Sequence, residues 1–262
     1  MRKLLAGLGV ALFIGACAGG AIPGIMMTAP GPAAPTAASS HILAAIADPR
    51  RPEADTTRDA LRHPAEVLAF SGVQPGWRIA DVGPGGGYYS RLFAVAVGDG
   101  GHVYGVDRPN AAPDRPRAML AVVPQYQNIT ELQAGYTGWT ISEPLDAVFI
   151  SQIYHDFFYP QLNVDVPAFN RAVFDALKPG GVLVIIDHSA EPGHTIDLNP
   201  QTDLHRIDQA QVIREVTAAG FVLEEESQIL RNPADNRTER VFEGDIRGHT
   251  DQFVLRFRKP AN

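Results

Sequence analysis

The chain carries 262 residues, of which 45% are hydrophobic and 19% charged, an ordinary globular composition that excludes a disordered or coiled-coil chain. Its 22 basic and 29 acidic side chains leave a formal net charge of -7, which offers no electrostatic footprint for DNA or RNA. A single cysteine, Cys17, excludes an intramolecular disulfide and a zinc-thiolate cluster.

Arg2 and Lys3 form a positive opening, followed by a short apolar core from Leu4 to Ala16. That is the layout of a secretory signal, too short for a comfortable membrane-spanning helix. The core ends in Ile14-Gly15-Ala16-Cys17, which resembles a bacterial lipobox, so residues 1–16 are expected to be a signal peptide and Cys17 a lipidated mature N-terminus. The alternatives are an uncleaved anchor, because the uncharged stretch continues through Met27, plain secretion, or an over-long start to a cytosolic protein. Residues 17–40 are rich in Ala, Pro, Gly and Ser and read as a semi-extended tether. Ala18 after the cysteine suggests, by resemblance to sorted lipoproteins, the outer membrane facing the periplasm. The globular domain is expected over 41–262, with no run of about 20 apolar residues to cross a membrane.

Within that domain, Thr57 to Phe70 predicts an amphipathic helix, and Arg78 to Val82 a strand running into glycines. Helix and strand then alternate: a helix over Tyr88–Val97, a strand over His102–Asp107 and a helix over Ala112–Val123. Further strands are predicted at Asn128–Gln133, Asp146–Ser151 and Val182–Asp187, with a helix over Val166–Leu177 before the last. The uninterrupted apolar run Val182 to Ile186 suits a strand buried on both faces of a parallel sheet. A last helix over Gln209–Ala219 precedes Phe221–Glu225 and Gln252–Phe257, which lack an intervening helix and are expected to pair antiparallel. The pattern is that of an α/β sheet built from βαβ units.

The glycine loop is the most informative stretch: Asp81-Val82-Gly83-Pro84-Gly85-Gly86-Gly87 joins a strand to a helix. Such a turn lets backbone approach a ligand closely, with helix N–H groups facing it. A dinucleotide fingerprint needs Gly-x-Gly-x-x-Gly. Tyr88 and Ser90 occupy the last position in the two possible registers, so both fail, and no Lys-Ser or Lys-Thr follows to make a P-loop. The spacing that fits is acid-x-Gly-x-Gly-x-Gly, with Asp81, Gly83, Gly85 and Gly87.

In that motif the chain resembles the class I S-adenosylmethionine-dependent methyltransferases, from about Arg51 to the C-terminus. The resemblance implies a Rossmann-like sandwich with a mostly parallel seven-stranded sheet and an antiparallel last strand. It implies S-adenosyl-L-methionine as co-substrate, a loop packed on its methionine part, and Asp107, ending the second strand, on the ribose hydroxyls. Lys178-Pro179-Gly180-Gly181 matches the turn that the family places before strand five. One departure concerns adenine: the family's acid after strand three is replaced by Gln133, which could serve through its side-chain carbonyl.

Methyl transfer is an in-line displacement, so the protein must align the reactants and, for a weakly acidic acceptor, remove a proton. The segment after strand four, Tyr154-His155-Asp156-Phe157, is similar to that of small-molecule O-methyltransferases, whose histidine is the general base. His155 with Asp156 is therefore the candidate catalytic pair, with neutral imidazole available at physiological pH; Asp187 or another carboxylate could orient the ring. The competing reading is a structural histidine at the strand end. His155, Asp156, His188 and His205 include metal-ligand types, but show no compact ligand motif and predict no metal. Arg58 and Arg62 could reach the cofactor carboxylate or form a solvated face. Tyr88 and Tyr89 either wall the cofactor pocket or pack the core.

These residues predict methyl transfer to a small molecule or envelope component, with membrane contact through the N-terminal lipid only. The rival is an exported lipoprotein that uses the same fold for binding without catalysis. A dehydrogenase ranks third.

Overall fold

The computed structural model describes residues 39–109, 118–136 and 140–261. Cys17, the expected signal peptide and nearly all of the expected tether lie outside the described residues. Among the described residues, no helix is long and apolar enough to cross a membrane.

Seven strands form one sheet: β1 Arg78–Val82, β2 His102–Asp107, β3 Ile129–Gln133, β4 Leu145–Ser151, β5 Leu177–His188, β6 Val222–Ser227 and β7 Gln252–Arg258. Their spatial order is β3-β2-β1-β4-β5-β7-β6. Strands β1 to β5 pair in parallel, and β7 runs antiparallel to both β5 and β6. The expected α/β sandwich with an antiparallel last strand is the observed fold. The strand order reverses between β1 and β4, near the centre of the sheet, the position where open α/β sheets hold their ligands outside the carboxyl ends of the strands.

Alternation along each strand divides the core in two. Ile79, Val103, Phe149, Val184 and Val254 face one side, packed with α1 Ser40–Ile46, α4 Pro64–Ser71 and α5 Tyr88–Val97. Ala80, Val82, Val148, Ile150, Leu183, Ile185 and Leu255 face the other, under α6 Val166–Ala176 and α7 Gln209–Ala218. Both faces are covered, which is why β5 reads as an unbroken apolar run. Asp165 caps α6 by accepting the Ala168 N–H at 3.0 Å, and Asp208 caps α7 by accepting from Ala210 at 2.9 Å.

Three local expectations need correction, and one helix was not expected. The helix expected over Thr57–Phe70 is broken into short pieces. α2 Glu53–Thr56 and α3 Asp59–Arg62 precede His63, which sits at φ 42° before Pro64 starts α4. A residue before proline is pushed out of the helical region, and here that ends α3. The described part of the segment expected as a helix to Val123 forms 3-10 turns, Ala118–Ala121 and Val123–Gln125. Lys178 to Gly181 belongs to β5, where a register shift opposite Leu145 and Ala147 absorbs the glycines. α1 was not anticipated; it buries Ile42 and Ala45 against the α5 side of the core.

Candidate active site

The carboxyl end of β1 carries Asp81 and then the glycines. Gly83 adopts φ 66°, and a Cβ there would stand 2.5 Å from Ile153 Cδ1. Gly87 adopts φ 76° as the N-cap of α5, and its Cβ would meet Val122 at 2.8 Å. Only glycine fits either position without displacing a neighbour. Between them, a Cβ on Gly85 or Gly86 would meet nothing within 4 Å. This open side faces a cavity of about 270 Å³ lined by Arg58, Arg62, Asp81, Gly83 to Gly86, Tyr88, Tyr89, Ser151 and Gln152.

Asp81 is buried, accepting from Ser90 Oγ at 2.5 Å. Burial raises its carboxyl to about 6, against the lowering effects of the Ser90 hydrogen bond and the Arg62 charge. Arg62 donates to Gln152 Oε1 at 2.9 Å and lies over the Tyr88 ring at 4.7 Å. Arg58 pairs with Asp55 at 2.6 Å and lies over the same ring at 4.9 Å. Tyr88 donates to Asp59 at 2.6 Å; burial and that carboxylate push its phenol far above the ordinary range, and burial raises Tyr89 to about 12. The two tyrosines thus wall the pocket and pack the core together, and the two arginines face the cavity.

Asp107 closes β2 beside the loop: Gly83 N–H donates to Val106 O at 2.9 Å. Its carboxylate accepts from the Arg108 N–H at 2.7 Å and the Tyr136 hydroxyl at 3.2 Å. Gln133 is its register partner on β3, exposed, with its amide donating to Glu131 at 3.2 Å. Asp81, Gly83 and Gly85 therefore line the cavity, Gly87 shapes the helix entry, and Asp107 and Gln133 stand on the neighbouring strand ends. Ser151 and Gln152 are lining residues that the glycine motif alone does not mark.

His155 lies elsewhere, in a 3-10 turn over His155–Phe158, and is 2% exposed. Its Nδ1 is 2.7 Å from Asp187 Oδ1, its backbone N–H donates to Asp187 Oδ2 at 2.8 Å, and its Nε2 is 3.1 Å from Asp156 Oδ1. Burial lowers its basicity, but the Asp187 charge and the contacts with Asp156 and Asp187 outweigh burial and raise it to about 10. Each ring nitrogen thus faces a carboxylate, surroundings that favour the protonated ring over the expected neutral imidazole. Asp187 is the orienting carboxylate, and Asp156 bridges to His205 Nδ1 at 3.4 Å. His188 contacts Thr250 through Nδ1 at 2.7 Å, and burial lowers it to about 3.

Fold order, glycine loop and strand-end acid together define a class I S-adenosylmethionine-dependent methyltransferase, and S-adenosylmethionine is the methyl donor the pocket fits. Its open glycine floor, buried carboxylate and two flanking guanidinium groups suit a ligand that carries both cationic and anionic groups. The family model for protein-L-isoaspartate(D-aspartate) O-methyltransferases matches residues 48–213, and the chain belongs to that family.

Among its relatives, the protein-L-isoaspartate O-methyltransferase of Ignicoccus hospitalis is 28% identical over 168 residues, covering 62% of this chain and 70% of the relative. The Arabidopsis thaliana protein-L-isoaspartate O-methyltransferase 1 is 31% identical over 127 residues, 43% of this chain and 46% of that one. The ubiquinone/menaquinone biosynthesis C-methyltransferase of Vibrio cholerae is 28% identical over 191 residues, 72% of this chain and 65% of its own. In structure, a SAM-dependent methyltransferase from Aquifex aeolicus superposes with a TM-score of 0.55 at 19% identity, over 78% of this chain and 93% of the other.

Proposed function

We propose that the protein transfers a methyl group from S-adenosylmethionine to an acceptor carboxylate on a small molecule or an envelope component, a modified polypeptide included. One observation carries the choice of acceptor. Among the described residues, no side chain lining the cavity is placed as a base near neutral pH except Asp81, whose carboxyl is buried and held by Ser90. His155, the one histidine expected in that role, has each ring nitrogen against a carboxylate. An acceptor that already offers a lone pair needs no base, and a carboxylate is such an acceptor. The family's description as a protein-L-isoaspartate(D-aspartate) O-methyltransferase supports an oxygen acceptor.

The methyl donor supplies an electrophilic carbon on a sulfonium. The chain's own part is to hold it in line: Arg58 and Arg62 meet its carboxylate, Asp81 its positive charge, Asp107 its ribose and Gln133 its adenine. Export and attachment through a lipid on Cys17 belong to the same reading, as do residues 17–40 as a tether. The motif Ile14-Gly15-Ala16-Cys17 supports them.

Calorimetry of the full chain with S-adenosylmethionine and its demethylated product tests the first step. Binding is expected for both, and Asp107→Ala weakens it by about 1–3 kcal/mol, the scale of a charge-assisted hydrogen bond. Absence of heat from folded protein would favour the binding-only lipoprotein. Radiolabelled methyl transfer to isoaspartyl-containing and ordinary peptides tests the acceptor: a base-labile ester is expected, and a base-stable product defeats the carboxylate reading. Unchanged membrane fractionation of Cys17→Ser would remove the lipid anchor.

A further inference from the structure

Beyond the methyl-transfer site, three side chains of metal-ligating type converge on one point. His155 Nε2, Asp156 Oδ1 and His205 Nδ1 all lie within 4.8 Å of one another. The two shorter separations are 3.1 Å from His155 to Asp156 and 3.4 Å from His205 to Asp156.

The partners on the far side of each ring fix what faces inward. His155 Nδ1 is 2.7 Å from Asp187, a fully buried carboxylate that can only accept, so that nitrogen carries the proton. His205 Nε2 is 2.9 Å from the Pro200 carbonyl, which also can only accept. In their neutral forms both rings therefore turn an unprotonated nitrogen toward Asp156. Tyr159 stands 3.2 Å from His205 Nδ1, but its one hydroxyl proton is directed to Asp203 at 2.6 Å. With both rings neutral, the two nitrogens, Asp156 Oδ1 and the Tyr159 oxygen would be neighbouring acceptors with no donor among them. Such a set is stable only around positive charge, whether protons or a cation.

We propose that this cluster is a binding site for a first-row divalent metal cation, ligated by His155, Asp156 and His205. Ligand atoms about 2.1 Å from a common ion, at angles of roughly 90–110°, sit about 3.0–3.4 Å apart, the range of the two shorter separations. The third pair, His155 Nε2 to His205 Nδ1, lies within 4.8 Å and would close by a small shift of the loop bearing His205, which the 31% exposed Asp156 side chain can follow. Two imidazoles and one carboxylate suit zinc, iron, cobalt or manganese. Each imidazole is already turned by an acceptor behind it, the arrangement that orients and strengthens histidine ligands in metal proteins. His205 holds φ 56°, a conformation rare for a side-chain-bearing residue, and Asp203 anchors it by accepting its N–H at 2.7 Å. Three protein ligands leave a position open for water or another oxygen donor. The ion would tie the turn after β4 to the loop before α7, over the buried end of β5.

The test is titration of the full chain, stripped with chelator, using zinc chloride by calorimetry and cobalt chloride by visible absorption. One equivalent is expected to bind, with a cobalt spectrum that zinc displaces and a rise in Tm on zinc addition. Removing His155 would strip the partner from Asp187 and endanger the fold, so the informative variants are Asp156→Asn and His205→Asn, the latter because asparagine tolerates φ > 0. Each is expected to weaken zinc binding at least tenfold and abolish the Tm rise, while S-adenosylmethionine binding persists. No saturable binding by the parent chain, or equal binding by parent and both variants, overturns the site. Zinc binding without S-adenosylmethionine binding would instead leave this site standing and defeat the methyl-transfer reading.

Discussion

The two ends of the sheet's carboxyl edge solve opposite problems with polar residues. Around β1 and β2, the glycines expose backbone to an open cavity, and Arg58 and Arg62 remain half-buried at its wall. Around β5 and β7, polar groups are turned inward and matched to each other. Arg206 has no exposed surface and forks onto Asp235 at 2.7 and 3.2 Å, with further bonds to the carbonyls of Ser189 and Glu239. Asp235 also accepts from the Asp251 N–H at 2.6 Å, and Asp251 pairs with Arg231 and Arg237 at 3.1 and 2.9 Å. One end leaves its binding capacity for a ligand, whereas the other spends it on holding a long polar insertion in place.

The largest test of that contrast is Arg206→Met. It leaves Asp235 buried without its cation, and urea unfolding should show a loss of about 3–5 kcal/mol, partly restored by a second change, Asp235→Leu. S-adenosylmethionine affinity of the folded fraction should be unaltered. If that affinity falls with stability, the two ends are coupled and the contrast breaks.

Asp81 gives the next effect, through pH. Its folded value, raised to about 6 mainly by burial, exceeds the ordinary carboxyl value of 3.8, so the folded state holds this proton more tightly than the unfolded one. Its contribution to stability is present in full below pH ~4 and is lost up to pH ~6, a change of roughly 3 kcal/mol. Affinity for the cationic cofactor moves the other way, rising as Asp81 ionises. Unfolding and binding measured across pH 4–8, on the parent and on Asp81→Asn, should show both trends in the parent and neither in the variant.

Gly86→Ala is smaller and more discriminating. Its Cβ meets nothing within 4 Å, so unfolding free energy should stay within about 0.5 kcal/mol. Cofactor affinity should drop about tenfold because the methyl group enters the ligand's space, an effect of roughly 1.4 kcal/mol. Equal loss of stability and affinity would make the loop structural. The smallest effect belongs to Lys178→Ala, which removes a 2.8 Å pair with Asp146 on a side chain 42% exposed. Less than about 1 kcal/mol of stability and no cofactor affinity should go with it.

The same contrast explains what the sequence could convey. Asp81 to Gly87 is a contiguous motif whose conformation is decided within the turn, so spacing alone located the pocket floor. The alternation of strands and the terminal reversal were likewise legible from apolar runs and the missing helix. His63-Pro64 also carried a local signal for the broken helix, although the amphipathic pattern around it pointed to continuity. The inward network has no such signature. His155 meets Asp187 across 32 positions and Arg206 meets Asp235 across 29, and only the topology brings them together. The raised basicity of His155 comes from the two carboxylates that the fold sets against it, in opposition to burial, and residue type alone cannot specify that. α1 escaped notice because His41 to Ala47 continues the alanine-rich composition before it; contact with the core makes it a buried helix.

The placement of β7 governs how the sheet is assembled. β5 has no neighbour on its outer side except β7, and β6 pairs only with β7. Until Gln252–Arg258 arrives, two strand edges stand open with unpaired N–H and C=O groups, the state in which sheets template association with other chains. The β7 register closes both, with Ile185 opposite Leu255 on the β5 side and Leu223 opposite Phe257 on the β6 side. Closure thus depends on contacts of long sequence separation, which makes formation slow and cooperative. A chain interrupted before Gln252 would present the apolar edge of β5 to its neighbours, so loss of a short terminal segment should lead to aggregation before it leads to a soluble, weakened fold.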